Sequence, residues 1–155
     1  GAEMAKKMLN IDNAMDSSNE TWQRVALMLG WSTWDLGIKD PDIEAIKDEL
    51  NRMLDKIPAE KLSIQWETVS EFGILEGLMD NHMKGDLLEN ITCRLTDLIN
   101  MVPESVEAGI HLCYGDSGHK HFCEPKDATY LAQVANGVAN QAKRHIDWVH
   151  MPVQR

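Results

Sequence analysis

The densest group of chemically versatile side chains is Gly109-Ile110-His111-Leu112-Cys113-Tyr114-Gly115-Asp116, followed by His119, His121 and Cys123. On an extended strand His111 and Cys113 share one face. They stand about 6–7 Å apart along the chain, at roughly 3.3 Å per residue. Imidazole and thiolate at that span suit two ligands of a tetrahedral zinc. A thiol beside histidines is also a candidate nucleophile, and a buried structural cysteine is the plain alternative. Asp116, His119 and His121 fall in a turn-rich loop, where they would orient a ligand or move protons. Tyr114 borders that loop as a substrate contact. Cys123 could join a metal site or pack beneath the loop, and the second reading is favoured.

Two further groups stand at other candidate strand ends. Leu62-Ser63-Ile64-Gln65-Trp66-Glu67 alternates apolar and polar residues, so Gln65 and Glu67 point the same way. An amide paired with a carboxylate could hold an ammonium group or take part in proton transfer, with Glu71 just beyond. The alternative is a solvated or salt-bridged strand end. Ile146 to Met151 reads as a last strand stopped by Pro152, and it ends on His150. That histidine is a third metal-ligand candidate beside His111 and Cys113, or a hydrogen-bonded structural residue.

The elements that must position these groups are regular from residue 40 onward. Asp40-Pro41 is a cap with proline at the first helical position. Ile43, Ile46, Leu50, Met53, Leu54 and Ile57 then repeat at helical spacing until Pro58. Glu71 to Gly85 reads as an irregular connection with some helical turns. A second helix starts near Asp86, where Glu89 completes a capping-box spacing, and runs to Pro103. Val106 to Tyr114 is a strand, and Pro125 opens a third helix through Leu131, Val134, Val138 and Ala142. Helix and strand alternate with long crossovers, which calls for a parallel sheet covered by helices. In such sheets ligands gather at the carboxyl ends of strands, where all three groups lie.

Residues 1–40 have a different texture. They hold Trp22, Trp31 and Trp34 and form a helical, Trp-rich N-terminal segment ahead of the α/β part at 41–155. Asp12 or Asp16 could start helical turns. Ser18 would cap a helix through Thr21, Trp22, Val25, Ala26, Met28 and Leu29, with Gly30 as its stop. Trp31, Trp34, Leu36 and Ile38 follow in a connector closed by Gly37 and Pro41.

Composition narrows the function. The 155 residues carry 15 Lys+Arg against 25 Asp+Glu, a formal charge of −10. That balance opposes binding to a phosphate backbone, which needs clustered positive charge, and docking on anionic lipid. No apolar run is long enough to span a bilayer, and no signal-peptide core opens the chain. Cys93, Cys113 and Cys123 are an odd count at low density, as for reduced thiols in a cytoplasmic setting.

Taken together, the segment Pro58 to Gly77 with Gln65-Trp66-Glu67 and Glu71-Phe72, then Gly109 to Asp116, His119 to Pro125 and Asp147 to Val153, resembles a known family. It is similar to the uroporphyrinogen-decarboxylase/methionine-synthase-like (β/α)8 barrels, over about residues 40–154. The resemblance implies a partial barrel of parallel strands, with zinc as cofactor and a small thiol receiving a methyl group. It implies that His111 and Cys113 are zinc ligands, that Glu67 contacts the substrate amino group, and that Gln65 assists. Three features depart from the family. Glu67 stands where Asp is usual, His150 where the synthases carry a Glu ligand, and Val153-Gln154 where Val-Pro is usual. A last cysteine ligand would lie beyond Arg155.

A full barrel of this type needs roughly 200 residues or more, so this chain would supply about three of its strands. An open half-barrel leaves edges and apolar surface exposed. The expectation is therefore a homo-oligomer, or a partner chain completing the barrel around a small thiol or carboxylate. Two other functions fit the same residues: a metal-independent lyase or decarboxylase, and a non-catalytic interaction or scaffolding domain.

Overall fold

A computed structural model of the chain describes residues 25–28, 41–80, 84–115, 118 and 120–152. The expected caps at Asp12, Asp16 and Ser18 lie outside these residues, as do Trp22, Trp31, Trp34, the Gly30 stop, the connector from Trp31 through Ile38, Asp116, His119, Val153 and Gln154. The described elements, in chain order, are β1 (Val25–Met28), α1 (Pro41–Leu54), a 3-10 turn (Ala59–Lys61) and β2 (Leu62–Glu67). They continue with α2 (Val69–Leu75), α3 (Leu87–Met101), β3 (Glu107–His111), α4 (Thr129–Gln141) and β4 (Trp148–His150).

The strands form one parallel sheet in the order β1-β2-β3-β4. Among the described residues it is open, with β1 and β4 at its edges, and does not close into a barrel. The three strands expected around residues 62, 107 and 148 are present, each reached through helix, as parallel neighbours require.

One expectation is overturned. Val25–Met28 is a strand paired with β2, Val25 facing Leu62 and Met28 facing Gln65, where a helix was expected. Four consecutive apolar residues satisfy a buried strand as well as a helix turn, and the free edge of β2 decides between them. This strand therefore belongs to the same sheet as the rest, although it falls within the 1–40 segment.

The helices follow their apolar spacing. Leu50 and Met53 of α1, Ile91, Leu95, Leu98 and Ile99 of α3, and Leu131, Val134 and Val138 of α4 are all buried. They form one core with Leu62, Ile64, Trp66, Ala108, Ile110 and Leu112 from one face of the sheet. Asp86 caps α3 by accepting the Glu89 N–H at 2.8 Å. Helix α3 ends at Met101, where Val102 turns extended ahead of Pro103. Helix α4 begins at Thr129, later than Pro125, with its Thr129 N–H donated to Asp127 Oδ1 at 2.9 Å. Gly137 lets α4 approach α3, because a Cβ there would lie 2.5 Å from Thr92 Cγ2.

Arg144 fastens the bottom of the sheet. Its guanidinium donates to the carbonyls of Val102, Pro103 and Val106 at 2.9, 2.7 and 2.8 Å. It also donates to Asp147 Oδ2 at 3.2 Å, and that carboxylate accepts the Ala108 N–H at 2.7 Å. The end of α3 and the starts of β3 and β4 are thereby held together, which sets the register at the opposite, carboxyl ends.

Candidate metal centre

Strand alternation divides the sheet. Ile64 and Trp66 face the helices with Ala108 and Ile110, so Gln65, Glu67, Gly109, His111, Trp148 and His150 point to the other side. In the parallel register Gln65 lies beside Gly109 and Gly109 beside Trp148. One step on, Glu67 lies beside His111 and His111 beside His150. Three chemically active side chains thus form a row across the strand ends, from residues far apart in sequence. Two hydrogen bonds secure that row: Thr68 Oγ1 donates to the His111 carbonyl at 2.9 Å, and the Leu112 N–H donates to the His150 carbonyl at 2.9 Å.

Glu67 is 6% exposed, a depth at which a carboxylate requires partners. It has two. His111 Nδ1 lies 2.8 Å from Glu67 Oε1, and Gln65 Nε2 donates to the same oxygen at 3.1 Å. Gln65 Oε1 in turn accepts the Trp148 indole N–H at 2.9 Å. The Trp148 ring reaches Gln65 by crossing over Gly109, where an added Cβ would lie 2.3–2.4 Å from three indole atoms. His150 stacks on His111 with ring centroids 4.2 Å apart and planes 11° from parallel.

Cys113, buried just past β3, joins this group. Glu67, His111 and Cys113 each offer one donor atom, and these atoms lie within 4.8 Å of one another. Around tetrahedral zinc, with bonds of about 2.0–2.3 Å, neighbouring donors are roughly 3.3–3.8 Å apart. The three donors are gathered on about that scale, with the hydrogen-bonded Glu67–His111 pair, at 2.8 Å, closer than two ligands of one zinc. A carboxylate, an imidazole and a thiolate are also a donor set zinc accepts. The residues present fit the metal.

The remaining predicted site residues are placed elsewhere. His150 lies on the stacked flank of His111, outside the group of donors within 4.8 Å. Glu71 is buried within α2, whose turns run into the connection expected from Glu71 to Gly85 with some helical turns. Tyr114 is wholly buried on the helix side of the sheet, edge-on to Phe72 at 5.2 Å, and donates to Glu76 Oε1 at 3.1 Å. Burial first, then that hydrogen bond, raises its phenol far above the ordinary value, so it stays protonated. A phenol used this way packs as a core residue, whereas the sequence suggested a substrate contact. His121 is exposed, 3.4 Å from Glu124 and outside the donor group. Cys123 packs against the core, and desolvation, then Glu76 and Glu124, raise its thiol pKa.

Two residues of the site carried no signal of chemistry on their own. Trp148 and Gly109 read as ordinary strand positions, yet together they hold Gln65. A period-2 count places Gly109 on the His111 face and Trp148 on the His150 face, which is the one clue the chain offers. No protein-family model, curated protein or solved structure matches this chain. Among the described residues, no helix is long and apolar enough to cross a membrane.

Proposed function

We propose that Glu67, His111 and Cys113 form a zinc centre, and that the protein is a methionine-synthase-like one acting on a small thiol. The observation that carries this reading is the convergence of the three donors within 4.8 Å at adjacent strand ends. Three protein ligands leave a fourth position for an exogenous group, the arrangement of catalytic rather than structural zinc sites. Zinc in such a site supplies Lewis acidity, lowering the pKa of a bound thiol and so favouring methyl transfer to sulfur. The chain's own residues prepare the place. Glu67 and Gln65 fix the imidazole of His111, the flanking ring of His150 keeps it from rotating, and burial of Cys113 keeps bulk water from its sulfur.

Glu67 carries a different role from the one the family resemblance implies. Its carboxylate is engaged with His111, so a ligand or ligand-orienting role fits it better than capture of a substrate amino group. Gln65 has both ends of its amide engaged, which favours support over substrate contact.

Cobalt(II) titration tests the proposal. The intact chain is expected to bind one equivalent with a thiolate-to-cobalt charge-transfer band. Both the band and tight binding should disappear in Cys113→Ala and weaken in His111→Ala, and a small thiol should perturb the spectrum. Absence of stoichiometric binding, or binding that survives the double Ala variant, would overturn it. Turnover that survives chelation would instead favour the metal-independent lyase reading.

A further inference from the structure

The hydrogen bonds behind Glu67 have a direction that can be deduced from one end. An indole N–H only donates, so the Gln65 atom 2.9 Å from Trp148 Nε1 is the amide oxygen. The Gln65 nitrogen therefore faces Glu67 Oε1, at 3.1 Å, and donates to it. A carboxylate only accepts, so His111 Nδ1, 2.8 Å from that oxygen, carries the hydrogen. In the neutral ring this leaves Nε2 with a lone pair.

We infer that Trp148 and Gln65 are positioning residues: they hold Glu67 Oε1 against His111 Nδ1, which sets the tautomer and ring orientation of His111 in the metal-free chain and presents the two facing atoms to a metal that would displace the hydrogen between them, and thereby they set the metal affinity of the site. Trp148 lies 83 positions from Gln65 in sequence. It reaches Gln65 because residue 109 is a glycine, over which the indole lies flat. The pairing has no role in the apolar core, since both partners stand on the opposite face of the sheet. Partners behind a ligand typically change metal affinity by about 10–100-fold when removed. The affinity half of the inference rests on the metal reading above; the tautomer half stands without it.

The test uses the intact metal-free chain and two variants, Trp148→Phe and Gln65→Met. Phenylalanine keeps an aromatic ring over Gly109 and removes only the donor, whereas methionine keeps the length of Gln65 and removes both polar ends. Long-range 15N–1H spectra of the histidine rings in mildly alkaline buffer read the tautomer, and cobalt(II) titration reads affinity. Wild-type His111 is expected as the Nδ1–H form. The variants should show a mixture with the Nε2–H form and bind cobalt about 10–100-fold more weakly, with unchanged far-UV circular dichroism. A packing role alone would leave Trp148→Phe like wild type in both readouts. An Nε2–H ring in wild type, or folded variants with unchanged tautomer, would overturn the inference. If wild type binds no cobalt the metal reading fails, and the tautomer spectra alone decide the relay.

Discussion

Substituting Gly109 by alanine asks whether the Trp148 ring is held where the structure places it. The new Cβ would lie 2.3 Å from Trp148 Cε2 and 2.4 Å from both Cδ2 and Nε1. Carbon atoms in good contact sit about 3.5–4.0 Å apart, so the ring must lift by more than about 1 Å. The paired strands on either side cannot yield that much. Lifting the indole takes Nε1 out of reach of Gln65 Oε1, now 2.9 Å away. The lost hydrogen bond is worth about 1 kcal/mol, and overpacking adds about 1–3 kcal/mol. Alanine's lower backbone entropy cost in a strand returns about 0.5–1 kcal/mol. The net destabilisation expected is about 1–3.5 kcal/mol. The assay is urea denaturation followed by far-UV circular dichroism, on wild type, Gly109→Ala, Trp148→Ala and the double variant. In the Trp148→Ala background the clash is gone, so Gly109→Ala should be neutral or slightly stabilising there. The coupling between the two sites is then about 2 kcal/mol or more, as for residues in direct contact. Equal cost of Gly109→Ala with and without Trp148 would refute the close approach, and the relay through Gln65 with it.

Other consequences are as direct. Arg144→Met should cost about 3 kcal/mol in urea denaturation, since it removes the buried guanidinium that donates to three carbonyls and to Asp147 at once. Asp86→Ala should remove the α3 cap and cost about 1 kcal/mol, while Asp86→Asn, which also caps, should cost much less. Asp127 is held below the ordinary carboxylate range, first by the Thr129 hydroxyl and then by the Thr129 backbone N–H. A depressed folded-state value means its contribution is complete above the unfolded value of about 3.9 and is lost as pH falls through the folded one. Urea midpoints measured from pH 7 to 3 should therefore fall more for wild type than for Asp127→Asn, which keeps an acceptor without titrating.

Much of this was legible along the chain because it depends on local periodicity. The apolar repeat from Ile46 to Ile57, the Asp86/Glu89 cap and the alternation Leu62 to Glu67 each report a neighbour a few residues away. So does His111-x-Cys113, which set an imidazole and a thiol at the end of one strand. Alternating helix and strand then required parallel pairing, and parallel pairing directs attention to the carboxyl ends. Val25–Met28 escaped because four apolar residues in a row have no period, so only the pairing partner distinguishes strand from helix. Tyr114 escaped because residue type suggests a polar contact, while its place one step out of phase with His111 sends it into the core.

What the chain determined by itself is thus the set of elements, their parallel sense and the strand ends where functional side chains gather. Tertiary structure decided the partners. Glu67 meets His111 across 44 positions, and Trp148 meets Gln65 across 83. Such contacts depend on strand register, and a shift of one residue would turn every one of these side chains to the opposite face. Register is the outcome of core packing and the Arg144 clamp acting at once on several strands, so no single stretch of sequence contains it.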